Sequence, residues 1–170
     1  MPDSALRVLF LPLYPEVMPS SRLRVYQYLP PLKRFGIEGT VLPALSEPWF
    51  SRFYYSPSRW MHFIQYTVEV FQNLWRILES RKYDLIFIQK GLLLTNLRGF
   101  DRLMRKVRPP VVFDLDDSIY GRNLVDFRWP SLQRLQDSEQ TAKISSLSRA
   151  VIAGNSYLRE RALRYNRNVH

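Results

Sequence analysis

Cysteine is absent from this 170-residue chain, which excludes a disulfide scaffold, a Cys-type zinc site and thiol chemistry. Histidine occurs only twice, at His62 and His170, too few for a His-rich metal site. None of the six glycines falls between Leu13 and Ser21, the loop after the first apolar run, so neither the dinucleotide fingerprint nor a P-loop is present there. Met1 to Ala5 carries Asp3 and no basic stretch, and the apolar run Val8–Leu13 is short and broken by Pro12. It reads as a strand and not as a signal peptide. The longest candidate for a membrane span lies between Arg59 and Arg76, yet Gln65, Glu69, Gln72 and Asn73 interrupt it. It is too short and too polar to cross a bilayer.

What is present is a globular composition, 46% hydrophobic and 24% charged, in a length that suits one ordinary domain. The formal net charge is +10, and the second half carries most of the excess. A charge of that size implies contact with something anionic.

Short apolar, β-branched runs recur at Arg7–Leu11, Gly39–Leu42, Asp84–Ile88, Pro110–Leu115 and Arg149–Ala153. Each is nearly continuous, the pattern of a strand covered on both faces, as in a parallel sheet. Helical spacing lies between them. Leu23, Tyr26, Leu29 and Leu32 share a face in 22–35, although Pro30 and Pro31 kink or end the first turns. Leu97, Phe100, Leu103, Met104 and Val107 form a stripe in 95–107, with Arg98, Arg102, Arg105 and Lys106 outside it. A further helix is expected over 156–165, with Leu158 and Ala162 inward. Strands alternating with helices predict an α/β fold, a Rossmann-like doubly wound and mostly parallel sheet. Asn168–His170 reads as the opening of a further strand, so residues 1–170 are expected to be one domain of a longer protein.

In such a fold ligands bind beyond the carboxyl ends of the strands. Four stretches qualify. Ser20, Ser21, Arg22 and Arg24 follow the first strand; they offer hydroxyls and guanidinium forks for phosphate or carboxylate, or else an N-cap with two solvated arginines. Asp114, Asp116 and Asp117 end the fourth strand, with Asp114 and Asp116 on one face and Asp117 toward the loop. Three carboxylates so close raise one another's pKa unless they meet a cation, an arginine or sugar hydroxyls. Lys90 and Asn155 stand at strand-to-helix switches, where Asn155 or Ser156 reads first as the N-cap of the helix that follows and second as a ligand contact. Finally, ten of the 24 aromatics lie between Trp49 and Trp75. A stripe from Trp60 through Phe63, Ile64, Thr67, Val68, Phe71, Leu74, Trp75 and Leu78 is either a core face or, with Trp49, Arg52, Tyr54, Tyr55, Arg59 and Trp60 at its entry, a surface for an anionic membrane. Nucleic acid is the weaker partner, because no helix-turn-helix, RNP or zinc signature accompanies the arginines of 98–108 and 159–167.

Arg7–Leu11 with Ser20–Leu29, then Val111–Asp117, then Ala150–Leu158, resemble in order and spacing the start of GT-B glycosyltransferases of the large retaining family four. The resemblance covers nearly the whole chain, as the amino-terminal half of such an enzyme. It implies a Rossmann-like acceptor-binding domain whose partner domain holds a nucleotide-sugar through a Glu pair, without metal or other cofactor. The complete enzyme would pass the sugar to a lipid-linked or polysaccharide acceptor, in the cytoplasm and peripherally on the inner face of a membrane. Asp116 stands where many members have a histidine approaching the transferred sugar, and Asp117 matches the aspartate after it. A carboxylate at that place can bind sugar hydroxyls or steady an oxocarbenium-like transition state. The family's paired glycines after the first strand are replaced here by a proline-rich loop, with Arg22 and Arg24 taking part of their duty toward phosphate. The alternative is a non-catalytic α/β module that attaches to anionic lipid or nucleic acid.

Overall fold

The computed structural model describes residues 5–54, 59–93, 98–117 and 136–170. Its centre is a five-stranded, all-parallel sheet: β1 (Leu6–Pro12), β2 (Ile37–Val41), β3 (Leu85–Gln89), β4 (Val111–Leu115) and β5 (Ala150–Ala153). The spatial order is β2-β1-β3-β4-β5. The fold is therefore the α/β, Rossmann-like doubly wound class expected from the continuous apolar runs. Residues 168–170 lie alongside β5 through a parallel bridge between Val151 and Val169.

Both faces of the sheet are covered. On one, Leu9, Leu11, Ile86, Ile88, Val111, Phe113, Leu115 and Val151 form the main core. The helices closing it include α5 (Phe100–Met104), α6 (Gln140–Leu147) and α7 (Ser156–Ala162), through Met104, Ile144, Leu158 and Ala162. On the other face Val8 and Phe10 pack with Val25, Tyr26, Leu29 and Leu32, where the chain passes from α1 (Pro19–Arg24) into α2 (Leu29–Arg34). A third, smaller cluster of Leu13, Ala44, Leu45, Phe50 and Phe53 ties the loop after β1 to α3 (Glu47–Tyr54).

Two expectations change. The segment 22–35 is broken: α1 ends at Val25, whose φ of −128° leaves the helix, and a single 3₁₀ turn precedes α2. Pro30 and Pro31 then begin α2 instead of ending a helix, since the first turn needs no N–H from them. The second change concerns α4 (Arg59–Glu79), about 31 Å long at 1.5 Å per residue. Its apolar stripe is not a core face. Trp60 is 73% exposed, Phe71 67%, Trp75 60% and Leu78 58%, with Phe63, Ile64 and Leu74 also open to solvent.

The buried side of α4 is polar: Gln65, Glu69, Asn73 and Arg76. At 3.6 residues per turn the exposed apolar residues span about 120° of the helix, and the buried polar ones lie opposite. Asn73 Nδ2 donates to the Glu69 carbonyl at 2.8 Å, and Arg76 Nη1 donates to Asn73 Oδ1 and, at 3.1 Å, to the Leu92 carbonyl beyond β3. The remaining Arg76 nitrogens, Nε and Nη2, are buried without a partner among the described residues. That burial pushes the Arg76 guanidinium down to about 9, with Glu69 pulling the other way.

Candidate functional site

The chain runs from β1 outward to β2 and returns past β1 to β3, so the order of the sheet reverses between β1 and β3. A crevice opens there, beyond the carboxyl ends of the strands. The residues that meet at this rim come from the loop and helix after β1, from the end of β3 and from the end of β4.

Ser21, buried in α1, donates its hydroxyl to Gln89 Oε1 at 3.2 Å. Gln89, the fully buried last residue of β3, donates from Nε2 to Asp116 Oδ2 at 2.9 Å. The other Asp116 oxygen, Oδ1, is shielded from solvent and has no hydrogen-bond partner among the described residues. Arg24 reaches from α1 to Asp114 with two nitrogens on one edge of its guanidinium, Nε to Oδ2 at 2.9 Å and Nη2 to Oδ1. Lys90 Nζ lies 3.3 Å from Asp117 Oδ2 and 5.9 Å above the ring of Tyr14. Each carboxylate of the cluster thus meets a different donor, and this is how three of them sit so close.

Within the Arg24–Asp114 pair the two directions pull apart. Burial pushes the Asp114 carboxyl up more than Arg24 brings it down, while the same bond holds the Arg24 guanidinium above its ordinary value. We take the pair as ionised: a two-pronged guanidinium–carboxylate contact with Asp114 only 3% exposed satisfies both charges. Lys90 itself is held with φ +69°, a left-handed conformation costly to a residue with a Cβ. The strain sets its side chain between Tyr14 and Asp117.

Most of the expected site residues gather here: Ser21, Arg24, Lys90, Asp114, Asp116 and Asp117. Ser20 sits half-buried in the same first turn of α1, and Arg22 is exposed beside it. Two expectations are corrected, and a third position is decided. Neither serine is the N-cap of α1, which is Met18 with no side-chain bond. Arg24 is engaged by Asp114 and so is not a free phosphate grip. Asn155 spends its Oδ1 on capping α7, accepting from Leu158 N at 2.9 Å, the first of the two roles open to it.

Gln89, which joins Ser21 to Asp116, has no charge to mark it in the sequence, being a neutral amide at a strand end. An amphiphilic cavity of about 300 Å³ adjoins the site, with Phe10, Tyr28, Leu32, Phe87 and Ile152 around the Arg24–Asp114 pair. Among the described residues no three His, Asp or Glu side chains gather as a metal-holding set.

Of the expected membrane-contact residues, Trp60 and Arg52 are exposed. Trp49 is not free: its ring stacks on Phe53, 5.3 Å between centroids, and it packs on the small cluster. Tyr55 and the side chains of Tyr54 and Arg59 lie outside the described residues. Among the described residues no helix is long and apolar enough to cross a membrane.

No protein-family model matches the chain, and no curated protein matches it.

Proposed function

We propose that the chain is the acceptor-binding domain of a GT-B glycosyltransferase, which in the complete protein transfers a sugar from a nucleotide-sugar donor to a lipid-linked or polysaccharide acceptor. The observation that carries the reading is Asp116. One of its oxygens is fixed by the Ser21–Gln89 relay, and the other is buried and, among the described residues, unsatisfied at the crevice of a doubly wound sheet. A buried acceptor without a donor costs about 1–3 kcal/mol unless a ligand supplies one, and a sugar hydroxyl is such a donor. In this arrangement Asp116 binds the transferred sugar or stabilises positive charge developing on it. Lys90 and Asp117 border the same place, and the amphiphilic cavity beside Arg24 suits an acceptor with an apolar part.

The test uses the protein as its host produces it, with nucleoside diphosphate release from a panel of nucleotide-sugars as the readout. Asp116→Asn is expected to lower turnover by about 10²–10³-fold. Near-wild-type turnover would remove Asp116 from the mechanism.

The outward face of α4 favours a second property of the same protein, attachment to an anionic membrane surface. Trp60, Phe63, Phe71 and Trp75 face solvent, Arg52, Arg81 and Lys82 are exposed at the ends of this region, and the whole chain carries +10. Co-sedimentation with phosphatidylglycerol vesicles is expected, reduced by Trp60→Ser with Trp75→Ser. If attachment persists without any turnover, the non-catalytic module becomes the better description. Nucleic-acid binding with a steep salt dependence would point the same way.

A further inference from the structure

Away from the Asp116 crevice, α5 and α6 pack against one another on the outer side of the main core. Between them lies a cleft of about 330 Å³ lined by Arg98, Gly99, Arg102, Asp137 and Lys143. That volume is at the small end of ligand sites. Among the described residues its lining is three cations against one carboxylate, and that carboxylate is already taken. Asp137 Oδ2 accepts from Lys143 Nζ, and Oδ1 accepts from the Glu139 backbone N–H at 3.2 Å. Asp137 is 8% exposed, so this pair forms one wall of the cleft and contributes little net charge.

The arginines are in a different state. Arg98 is aimed by a single bond, its Nε donating to the Gln136 carbonyl at 2.8 Å. Its terminal N–H groups have no partner among the described residues, and neither does any part of the Arg102 guanidinium. Gly99 lies between them with φ +88°, a left-handed turn that brings the chain into α5, where the Arg102 N–H bonds the Gly99 carbonyl at 3.1 Å. The turn sets two guanidinium forks on one small cleft, with no carboxylate among the described residues left to neutralise them. Forks of this kind match the geometry of a phosphate, and their two positive charges match the charge of a phosphomonoester near pH 7.

We propose that this cleft is a binding site for a phosphate group, separate from the Asp116 crevice and independent of the reading given for it. The group enters between the Arg98 and Arg102 forks, with the Lys143–Asp137 pair as the opposite wall. A phosphomonoester lipid headgroup and a soluble phosphorylated molecule share this chemistry.

Titration of the native protein with inorganic phosphate, followed by backbone amide chemical shifts at constant ionic strength, is the test. Saturable shifts centred on Gly99, Arg102 and Asp137 are expected. Arg98→Ala and Arg102→Ala are each expected to weaken binding about tenfold. Both side chains are exposed, so the variants should melt as the wild type does without phosphate, and Arg105→Ala, an exposed arginine outside the cleft, should bind as the wild type does. Shifts that do not saturate, or an equal loss in all three variants, would overturn the proposal. Phosphatidylcholine vesicles with and without phosphatidic acid then separate the sources. Arg102-dependent capture by phosphatidic acid identifies a lipid headgroup, and phosphate binding with no such capture identifies a soluble ligand.

Discussion

Gln89 holds Asp116 by one oxygen only: Nε2 donates to Oδ2 at 2.9 Å while Oδ1 stays buried and, among the described residues, unpaired. Gln89 in turn is fixed by the Ser21 hydroxyl, so the orientation of a carboxylate after β4 is set by a serine after β1. Gln89→Leu is expected to lose both bonds and about 1–2 kcal/mol of stability by chemical denaturation. It should also lower turnover of the complete protein by releasing Asp116. An unchanged denaturation midpoint would show that the relay contributes nothing to the fold.

Arg24 and Asp114 make the opposite kind of contact, complete on both sides. Arg24→Ala leaves Asp114 buried without its counter-charge and is expected to cost about 2–3 kcal/mol, less than for a fully buried pair because Arg24 is 33% exposed. The deficit depends on pH. Asp114 has its folded pKa raised by burial, so the penalty of its charge is present above that pKa and is relieved as pH falls through it. Denaturation of variant and wild type at pH 8 and pH 5 should therefore show a smaller difference at pH 5.

Lys90 combines a strained backbone with a side chain at the site. Lys90→Gly removes the left-handed penalty and also the cation. Stability is expected to hold or to rise by up to about 1 kcal/mol, while ligand affinity at the crevice falls. A loss of both together would mean that the lysine serves the fold and not the ligand.

Arg76 has its folded pKa lowered to about 9 from 12.5. The unfolded chain therefore binds a proton at Arg76 between those values when the folded one does not, and stability from this group rises with pH across that window. The advantage of wild type over Arg76→Met is expected to grow between pH 8 and pH 10. A constant difference would mean that the buried guanidinium stays charged throughout.

The inverted face of α4 predicts an unusual tolerance. Phe71→Lys and Trp75→Lys should each change stability by no more than about 0.5 kcal/mol, because both rings already face water. Asn73→Ala should cost more, since it takes away the oxygen that receives Arg76.

Most of the sheet was legible because a strand covered on both faces has to be apolar throughout, and the five runs differ from the observed strands by two residues at most at either end; β2, at the edge with Glu38, Gly39 and Thr40 exposed, is the weakest of them. Asp114–Asp117 was legible because a strand's carboxyl end in this fold is a ligand position. The orientation of α4 was not, since periodicity identifies a stripe without saying which way it turns. Gln65, Glu69, Asn73 and Arg76 are residue types expected in water, and their burial depends on distant groups such as the Leu92 carbonyl. The Arg24–Asp114 pair was hidden for a related reason: its partners stand 90 positions apart and are joined only when the sheet closes.

β1 is an inner strand whose partner on one side, β3, follows 77 residues later, as Val8 pairs with Leu85. On a ribosome adding about 5–20 residues per second, the open edge of β1 waits roughly 4–15 seconds for that partner. β2 is made sooner and can protect the other edge alone. The nascent chain thus passes through a stage with one bare, apolar strand edge, the stage at which a chaperone would be needed and misassembly would begin.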